Sequence, residues 1–290
     1  MKTGGLSSER FGTDMRYEKI PVAVEGTVQA ELALYIQEDY PDTYGERRRP
    51  MVLICPGGGY EHVSVREGEP VAFHFLTAGC HAAVLWYDIS RQGVTHPQPL
   101  KELAWSVAYI REYAAQYAVD PDKILVAGFS AGAHLAASLG CFWDREWLEK
   151  EMQMPQVRYQ PNGMILAYPV ITSGAFAHRG SFANLMGEKA DEALERELSL
   201  EEQVTDKVPP VFMWHTAEDG TVPLENSMLF AQALRAAGVN LEYHVFPHGG
   251  HGYALATRET AMKAGVEIDP QCEQWIGLCK NWLKYNFVKL

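Results

Sequence analysis

A single serine, Ser130, stands between two glycines in the middle of the apolar run I-L-V-A-G-F-S-A-G-A-H-L-A-A at residues 124–137. The pentapeptide G-F-S-A-G fits G-x-S-x-G, the pattern of a nucleophile elbow, in which a buried strand turns sharply into a helix and presents the serine oxygen. Such a turn strains the serine backbone, and a side chain at Gly128 or Gly132 would collide with neighbouring backbone. We therefore interpret Ser130 as a nucleophile, with a strand-to-helix turn carrying an incidental serine as the alternative.

A serine hydroxyl attacks efficiently only when a base removes its proton, and acids and bases follow two later apolar runs. These side chains are Glu218 and Asp219 after residues 210–215, and His248 and His251 after residues 241–246. Asp219 is the preferred acid because it adjoins the turn at Gly220, and Glu218 is the alternative. His251 is the preferred base because flanking glycines let its loop return toward the serine, whereas His248 has less freedom. The sequence thus predicts a triad of Ser130, Asp219 and His251.

Two further histidines, His215 and His244, lie inside the apolar runs themselves. We interpret both as packing residues. A zinc site built from His244, His248 and His251 is the alternative use of these histidines, but their spacing matches no zinc pattern. No metal and no other cofactor is therefore expected.

Three consecutive glycines end the apolar run M-V-L-I-C-P-G-G-G-Y at residues 51–60. Acyl transfer places negative charge on the carbonyl oxygen, and hydrogen-bond donors must already be in position to receive it. The backbone N–H groups of Gly58 and Gly59, joined by that of Ala131, are predicted to form this oxyanion hole. A phosphate-binding loop is one alternative, but the run lacks both the G-x-G-x-x-G spacing and the G-K-[ST] ending. A plain flexible turn is the other.

The elements that must position these residues follow from hydrophobic periodicity. Short, nearly continuous apolar runs are typical of parallel strands covered on both faces. They lie at residues 51–55, 82–87, 123–129, 163–168, 210–215 and 241–246. Apolar residues at helical spacing lie between or after them, at 100–114, 224–237 and 274–288. This alternation predicts one α/β domain over residues 1–290, with a mostly parallel central sheet and helices on both faces.

Other segments depart from this alternation. Residues 17–24 and 28–36 partly alternate polar and apolar side chains and predict antiparallel edge strands. Residues 143–205 interrupt the rhythm, so we predict a small cap-like insertion there, above the carboxyl edge of the sheet; a freely solvated helix is the alternative for its acidic stretch. Within it, Ser199 and Glu202 have the spacing of a capping box that opens a short helix. The D-P-D segment at 120–122 predicts a turn.

Composition bounds the partners and the compartment. The formal net charge of −12 over 290 residues repels polyanions, which disfavours a nucleic-acid partner. No window holds the ~18 apolar residues of a membrane helix, and the first ten residues lack a signal-peptide pattern. The five cysteines, an odd number, are typical of reduced and mostly structural thiols. We expect a cytoplasmic protein with no membrane partner, and a homo-oligomer is left open.

Four motifs, in this order, resemble the α/β-hydrolase superfamily: the P-G-G-G-Y turn, G-F-S-A-G-A-H-L-A-A, the H-x3-D-x2-V-P segment and the closing G-G-H-G-Y. More narrowly, they resemble bacterial acetylxylan and feruloyl esterases and the hormone-sensitive-lipase-like carboxylesterases. The resemblance implies an α/β-hydrolase fold in which Ser130 attacks, His251 is general base and then general acid, and Asp219 orients the histidine. It also assigns the oxyanion amides to Gly58, Gly59 and Ala131.

Two positions depart from the family pattern. Pro56 stands where the lipase-like H-G-G-G motif begins with histidine, so the side-chain support of the glycine loop must differ. Ala133 replaces a glycine in the G-F-S-A-G-G-H common among these esterases, which slightly alters the start of the helix. Neither position belongs to the predicted triad.

The resemblance implies a serine esterase whose most specific expected activity is the deacetylation of short acyl esters of carbohydrates, as in acetylxylan esterases. Its partner is then a small-molecule or oligosaccharide ester. A feruloyl or general short-chain carboxylesterase is the first alternative, followed by a small serine peptidase and a non-catalytic binding protein. Aromatic rings suit the apolar faces of sugars or a phenolic acyl group, with packing as the alternative role. The aromatic residues expected at the mouth of the site are Tyr60, Trp86, Tyr87 and Trp143.

Overall fold

The structure, a computed structural model, describes residues 15–38 and 48–288. Within these ranges the strands form one eight-stranded sheet. The strands are β1 (Arg16–Pro21), β2 (Glu31–Ile36), β3 (Arg49–Cys55), β4 (His81–Trp86), β5 (Val119–Phe129), β6 (Gly163–Ala167), β7 (Val211–Thr216) and β8 (Leu241–Phe246).

The spatial order of the strands is β1-β2-β4-β3-β5-β6-β7-β8. The strands from β4 across to β8 pair in parallel, and β2 runs antiparallel to both β1 and β4. This confirms the predicted mostly parallel sheet. The prediction of an edge strand at 28–36 is wrong, because β2 is paired on both sides and buries Leu32 to Ile36. Strand β1 is the one that lies at this edge.

Helices cover both faces of the sheet, as predicted. They are α1 (Glu69–Leu76), α2 (Gln98–Glu112), α3 (Ala131–Phe142), α4 (Glu146–Met152), α5 (Arg179–Met186), α6 (Glu192–Glu197), α7 (Glu225–Ala236) and α8 (Gln274–Asn286). Apolar side chains of α2, α3 and α7 share one core with the sheet, and those of α1 and α8 share the other. Adjacent residues of β3 point to opposite faces, so Leu53 enters the first core and Ile54 the second. Burial on both faces explains the continuous apolar runs.

The D-P-D segment at 120–122 lies within β5, so the predicted turn is wrong. The segment nevertheless leaves the regular ladder. Arg49 of β3 pairs with Val119, and Met51 pairs with Ile124, so the register shifts between these two pairs. Proline has no N–H to donate to a ladder, and the sequence signal of a turn here corresponds to an irregularity in the strand.

Strand β6 lies inside residues 143–205, so the predicted insertion is not one continuous segment. Helix α4 precedes β6, whereas α5 and α6 follow it and lead to β7. Helix α5 lies over the glycine loop that follows β3, because Asn184 Nδ2 donates to the carbonyl of Gly59 at 2.9 Å. The part of the region that covers the carboxyl edge of the sheet therefore includes α5.

The capping box predicted at Ser199 and Glu202 is wrong. Ser199 Oγ accepts the N–H of Ser173 at 2.9 Å and donates to Glu201 Oε1 at 3.0 Å. Residues Leu200–Glu202 form a single 3-10 turn without a side-chain cap. The hydroxyl of Ser199 is thus bonded to Ser173 and Glu201. It does not cap the 3-10 turn, although its spacing from Glu202 predicted a cap.

Two further findings concern the cysteines and the lengths of the helices. The five cysteines are buried and are free thiols, as the composition predicts. In residues 15–38 and 48–288, every helix is too short or too polar to span a bilayer.

Candidate active site

Ser130 lies at the junction between β5, which ends at Phe129, and α3, which begins at Ala131. Its backbone has φ 53° and ψ −119°, a strained conformation for a residue with a side chain. A Cβ atom at Gly128 would lie 2.2 Å from the carbonyl oxygen of Gly132, and one at Gly132 would lie 2.0 Å from that of Cys55. These distances agree with the steric reason given for both glycines. The turn holds the hydroxyl of Ser130 at the carboxyl edge of the sheet.

The loops after β7 and β8 bring Asp219 and His251 to this hydroxyl. His251 Nε2 lies 2.7 Å from Ser130 Oγ, and His251 Nδ1 lies 2.6 Å from Asp219 Oδ2. Because the carboxylate can only accept, Nδ1 carries the proton and Nε2 is free to accept the hydrogen of the serine. The alternatives Glu218 and His248 bond to each other instead, at 3.0 Å. The structure therefore brings together the three preferred residues.

Asp219 is held by donors on both of its oxygens. Oδ1 accepts the N–H groups of Thr221 and Val222, each at 2.9 Å, and Oδ2 accepts His215 Nε2 at 3.2 Å in addition to His251. Burial alone would raise the pKa of this carboxyl. The hydrogen bonds from His215, His251 and Val222 together outweigh burial, so the pKa of Asp219 lies below its ordinary value. Asp219 is therefore an anion throughout the neutral range.

The interpretation of His215 as a packing residue misses this contact. His215 is fully buried in β7, as a packing residue would be, but its ring nitrogens are both engaged. Nε2 lies 3.2 Å from Asp219 Oδ2 and 3.0 Å from the carbonyl oxygen of Val222, so its proton is shared between these two acceptors, and Nδ1 lies 2.8 Å from Ser227 Oγ. The available signal was the H-x3-D spacing, which places the ring at the end of the strand and the acid in the loop that follows it.

The glycine loop lies beside the nucleophile. Gly58 and Gly59 have φ of +127° and +65°, which favours glycine, and a Cβ at Gly58 would lie 2.1 Å from the carbonyl oxygen of His62. The N–H of Gly57 is occupied, since it donates to Glu67 Oε2 at 2.8 Å. Within the described residues, the N–H groups of Gly58, Gly59 and Ala131 have no hydrogen-bond acceptor. They are the amides that the sequence assigned to an oxyanion hole.

Glu67 and Tyr168 tie the surrounding loops together, and sequence reasoning missed both. Besides Gly57, the buried Glu67 carboxylate accepts the hydroxyl of Tyr168 at 2.7 Å. That hydroxyl accepts the N–H of Ala254 at 2.9 Å, and the Tyr168 ring lies 5.0 Å from the ring of His251. The glycine loop and the histidine loop thus share one buried support. Because Pro56 replaces the histidine of the lipase-like motif, a different side chain must support the glycine loop. Glu67 supports it by accepting the N–H of Gly57.

A cavity of 440 Å³ opens in front of Ser130 and His251. Apart from glycines, every residue that lines it has a polar or charged side chain. These side chains belong to Glu61, His62, Ser64, Arg66, Glu67, Ser130, His178, Asn184, Thr221 and His251. The cavity therefore offers several hydrogen-bonding side chains to a bound substrate.

The aromatic residues predicted at the mouth do not line this cavity. Tyr60 and Tyr87 are only 2% exposed, and their hydroxyls bond inside the protein, to His134 Nδ1 and to the carbonyl of Pro56. Trp143, which follows the last residue of α3, donates its Nε1–H to the backbone carbonyl of Lys207 at 3.2 Å. Trp86 lies beneath Gly68, where a Cβ would meet its ring at 2.8 Å. Tyr60 and Tyr87 are therefore packing residues, which was the alternative role for these rings.

Comparison with known proteins agrees with this geometry. The BD-FAE family model matches residues 39–234. An endo-1,4-beta-xylanase B from Butyrivibrio fibrisolvens is 40% identical over 214 residues, which cover 73% of this chain and 34% of that protein. The chain spans between a third and about half of the length of the first curated relatives that it matches.

Two solved structures cover nearly the whole chain. The acetyl ester-xyloside bifunctional hydrolase from Caldicellulosiruptor lactoaceticus is 32% identical, with a TM-score of 0.78 over 96% of this chain and 99% of its own. A carboxylesterase from Lactobacillus plantarum WCFS1 is 28% identical, with a TM-score of 0.82 over 95% of this chain and 99% of its own. The mostly parallel sheet with helices on both faces is therefore the α/β-hydrolase fold.

Proposed function

The chain belongs to the BD-FAE family of α/β-hydrolase esterases, and from this premise we propose that it is a serine carboxylesterase that removes acetyl groups from carbohydrates. One observation carries the proposal. Asp219, His251 and Ser130 form a continuous hydrogen-bonded series, and the nucleophile shares its cavity with Gly58 and Gly59. An ester carbonyl seated there has a nucleophile on one side and free backbone donors on the other.

The first half of the reaction acylates the serine. His251 Nε2 takes the proton of Ser130 Oγ as this oxygen attacks the carbonyl carbon of the ester. The oxyanion that forms accepts hydrogen bonds from the amides of Gly58, Gly59 and Ala131, and loss of one such donor lowers the rate by about 10²- to 10³-fold. His251 then gives its proton to the alcohol oxygen, the C–O bond breaks, and the alcohol leaves.

The second half releases the acid. A water molecule gives a proton to His251 Nε2 and attacks the acyl carbon, and the same amides hold the second oxyanion. The proton returns to Ser130 Oγ as its bond to carbon breaks, and acetic acid leaves and loses its remaining proton to solvent. In both halves the anionic Asp219 accepts the Nδ1 proton, which keeps the imidazole in the productive tautomer and stabilises the imidazolium form.

The cavity lining supports a polar alcohol. Each non-glycine side chain that lines it among the described residues is polar or charged. The hydroxyls of a sugar therefore find hydrogen-bond donors and acceptors there. The solved relative with acetyl ester-xyloside activity supports the same substrate class.

The test is release of acetate from acetylated xylo-oligosaccharides, compared with hydrolysis of methyl ferulate and of p-nitrophenyl octanoate. We expect the highest kcat/KM on the acetylated sugars. In the Ser130→Ala variant, turnover should fall by about 10⁴- to 10⁶-fold with the fold retained, because no other group supplies the nucleophile. Faster cleavage of methyl ferulate than of acetylated sugars would overturn the substrate class, and full turnover by Ser130→Ala would overturn the mechanism.

A further inference from the structure

His178 lies on the cavity wall at the start of α5, and its ring is locally oriented. It is the N-cap residue of this helix. Its Nδ1 lies 3.3 Å from the backbone nitrogen of Ser181 and 2.8 Å from Ser181 Oγ. The Ser181 N–H is shared between the carbonyl oxygen of His178, at 3.0 Å, and Nδ1, and because a backbone N–H can only donate, Nδ1 is the acceptor in this contact. In the neutral ring the single proton is therefore on Nε2.

Burial lowers the pKa of His178, and the nearby His251 lowers it further. The neutral ring is thus the form present at neutral pH. Within the described residues Nε2 has no hydrogen-bond partner, although the side chain is partly buried and lines the cavity. His178 is therefore a lining residue of the cavity that holds Ser130 and His251, and its ring carries an N–H without an acceptor among the described residues.

The position of this donor relative to the nucleophile is set by the packing of α5. Asn184, six residues after His178 on the same helix, donates to the carbonyl of Gly59 at 2.9 Å. Phe182 is buried, and its ring lies 5.5 Å from that of His134 on α3. Helix α5 is therefore tied both to the glycine loop and to the helix that begins at the nucleophile. A donor held in this way is arranged before the substrate binds.

We propose that His178 determines specificity by donating its Nε2–H to an oxygen atom beside the ester group in the alcohol part of the substrate. This inference deepens the proposed function and rests on it. An acetyl group is small, so once its carbonyl lies between Ser130 and the glycine loop, the remaining cavity receives the alcohol. A hydroxyl or ring oxygen next to the acylated position, as in a sugar, satisfies the donor. An alkyl alcohol leaves the donor without an acceptor on the substrate.

The experiment uses two acetate esters of nearly equal size, 2-hydroxyethyl acetate and propyl acetate. The wild-type protein should prefer the hydroxylated ester in kcat/KM by about tenfold, the value of one hydrogen bond together with the penalty for leaving a donor unpaired. His178→Asn should abolish this preference. Asparagine is a favoured N-cap residue, so α5 keeps its start, but its amide is too short to reach the position of Nε2.

Two further variants complete the test. His178→Gln carries an amide nitrogen near the position of Nε2 and should restore part of the preference. Arg179→Gln, at the exposed neighbouring position whose side chain bonds to Glu195, should keep the full preference. Thermal melting of each variant verifies its fold, and the wild-type preference itself needs no variant.

The outcomes separate the inference from the proposed function. If acetylated sugars are hydrolysed but His178→Asn keeps the wild-type ratio, or if the wild type shows no preference between the two esters, the inference is overturned and the proposed function stands. If acetylated sugars are poor substrates but the ratio collapses in His178→Asn, the donor role is supported and the carbohydrate assignment fails.

Discussion

Two carboxylate–imidazole pairs lie side by side on the loops after β7 and β8. In one pair, Glu218 Oε1 and His248 Nδ1 are 3.0 Å apart, and the side chains are 59% and 69% exposed. In the other, Asp219 Oδ2 and His251 Nδ1 are 2.6 Å apart, and the side chains are 0% and 17% exposed. The two carboxylates are adjacent in the chain, the two histidines are three residues apart, and both pairs have the same functional groups. Their different exposure therefore comes from their surroundings.

Water competes for the hydrogen bonds of the exposed pair. Surface pairs of this kind contribute about 0 to 1 kcal/mol to the free energy of unfolding. The buried pair has protein partners at both ends. Donors from Thr221, Val222 and His215 hold the carboxylate, and the far nitrogen of His251 meets Ser130. A carboxylate–imidazole pair can act in catalysis when its geometry is fixed from both sides and a reactive group lies next to it.

The largest expected effect comes from replacing one histidine of each pair. His251→Gln removes the base that accepts the Ser130 proton, so kcat for p-nitrophenyl acetate should fall by about 10⁴- to 10⁶-fold. His248→Gln changes an exposed ring that does not touch Ser130, and its kcat should stay within about twofold of wild type. Equal losses in the two variants would contradict the distinction between the pairs.

A smaller effect is expected at His215, which acts through Asp219 and is therefore a positioning residue. His215→Leu removes one donor from the carboxylate, and kcat should fall by about tenfold, the value of one hydrogen bond to a charged group. KM should change little because His215 lies behind the acid and outside the cavity lining.

His215→Gln is the matched control, because its amide nitrogen can reach the position of Nε2 and donate to Asp219. It should recover most of the lost kcat. If both variants melt at the same temperature but lose activity equally, the ring acts by packing and the hydrogen bond is unimportant.

The smallest expected effect is on acid stability. A carboxyl with a lowered native pKa stabilises the fold above its ordinary pKa of about 3.9, and this contribution is lost as the pH falls through the lowered native value. The unfolding free energy of Asp219→Asn should therefore fall less steeply than that of wild type below about pH 4. Urea titrations at several pH values measure this slope.

The exposed neighbour provides the comparison. The hydrogen bond from His248 also lowers the pKa of Glu218, but solvent screening keeps the associated stability small. Glu218→Gln should follow the wild-type slope more closely than Asp219→Asn does. The reverse order would mean that burial of Asp219 outweighs its hydrogen bonds.

Local patterns in the sequence were enough to predict much of this molecule. The apolar runs predict six parallel strands because burial on both faces demands continuous apolar residues, and each of these strands begins within four residues of the predicted start. The glycines around Ser130 and in the loop after β3 were predictable for a similar reason. Their collisions involve backbone only a few residues away or in the adjacent strand.

Contacts between distant segments were not predictable in this way. Glu67 and Tyr168 are 101 residues apart in the chain and meet only because β3 and β6 flank the same strand. Nothing in the sequence near Glu67 distinguishes it from a solvated glutamate. The four aromatic residues expected at the mouth of the site do not line the cavity. The type of ring indicates affinity for sugars or for a core, but it does not determine which way the side chain points.

The sequence by itself determined which segments form the parallel strands, the strained turn at Ser130 and the candidates for acid and base, because each follows from a local pattern of residues in the chain. Only the tertiary structure decided which of two adjacent carboxylates is buried, which of two histidines meets the serine, and which polar side chains line the cavity. Those choices depend on the directions of side chains from separate loops, which are set when the sheet brings the loops to one edge.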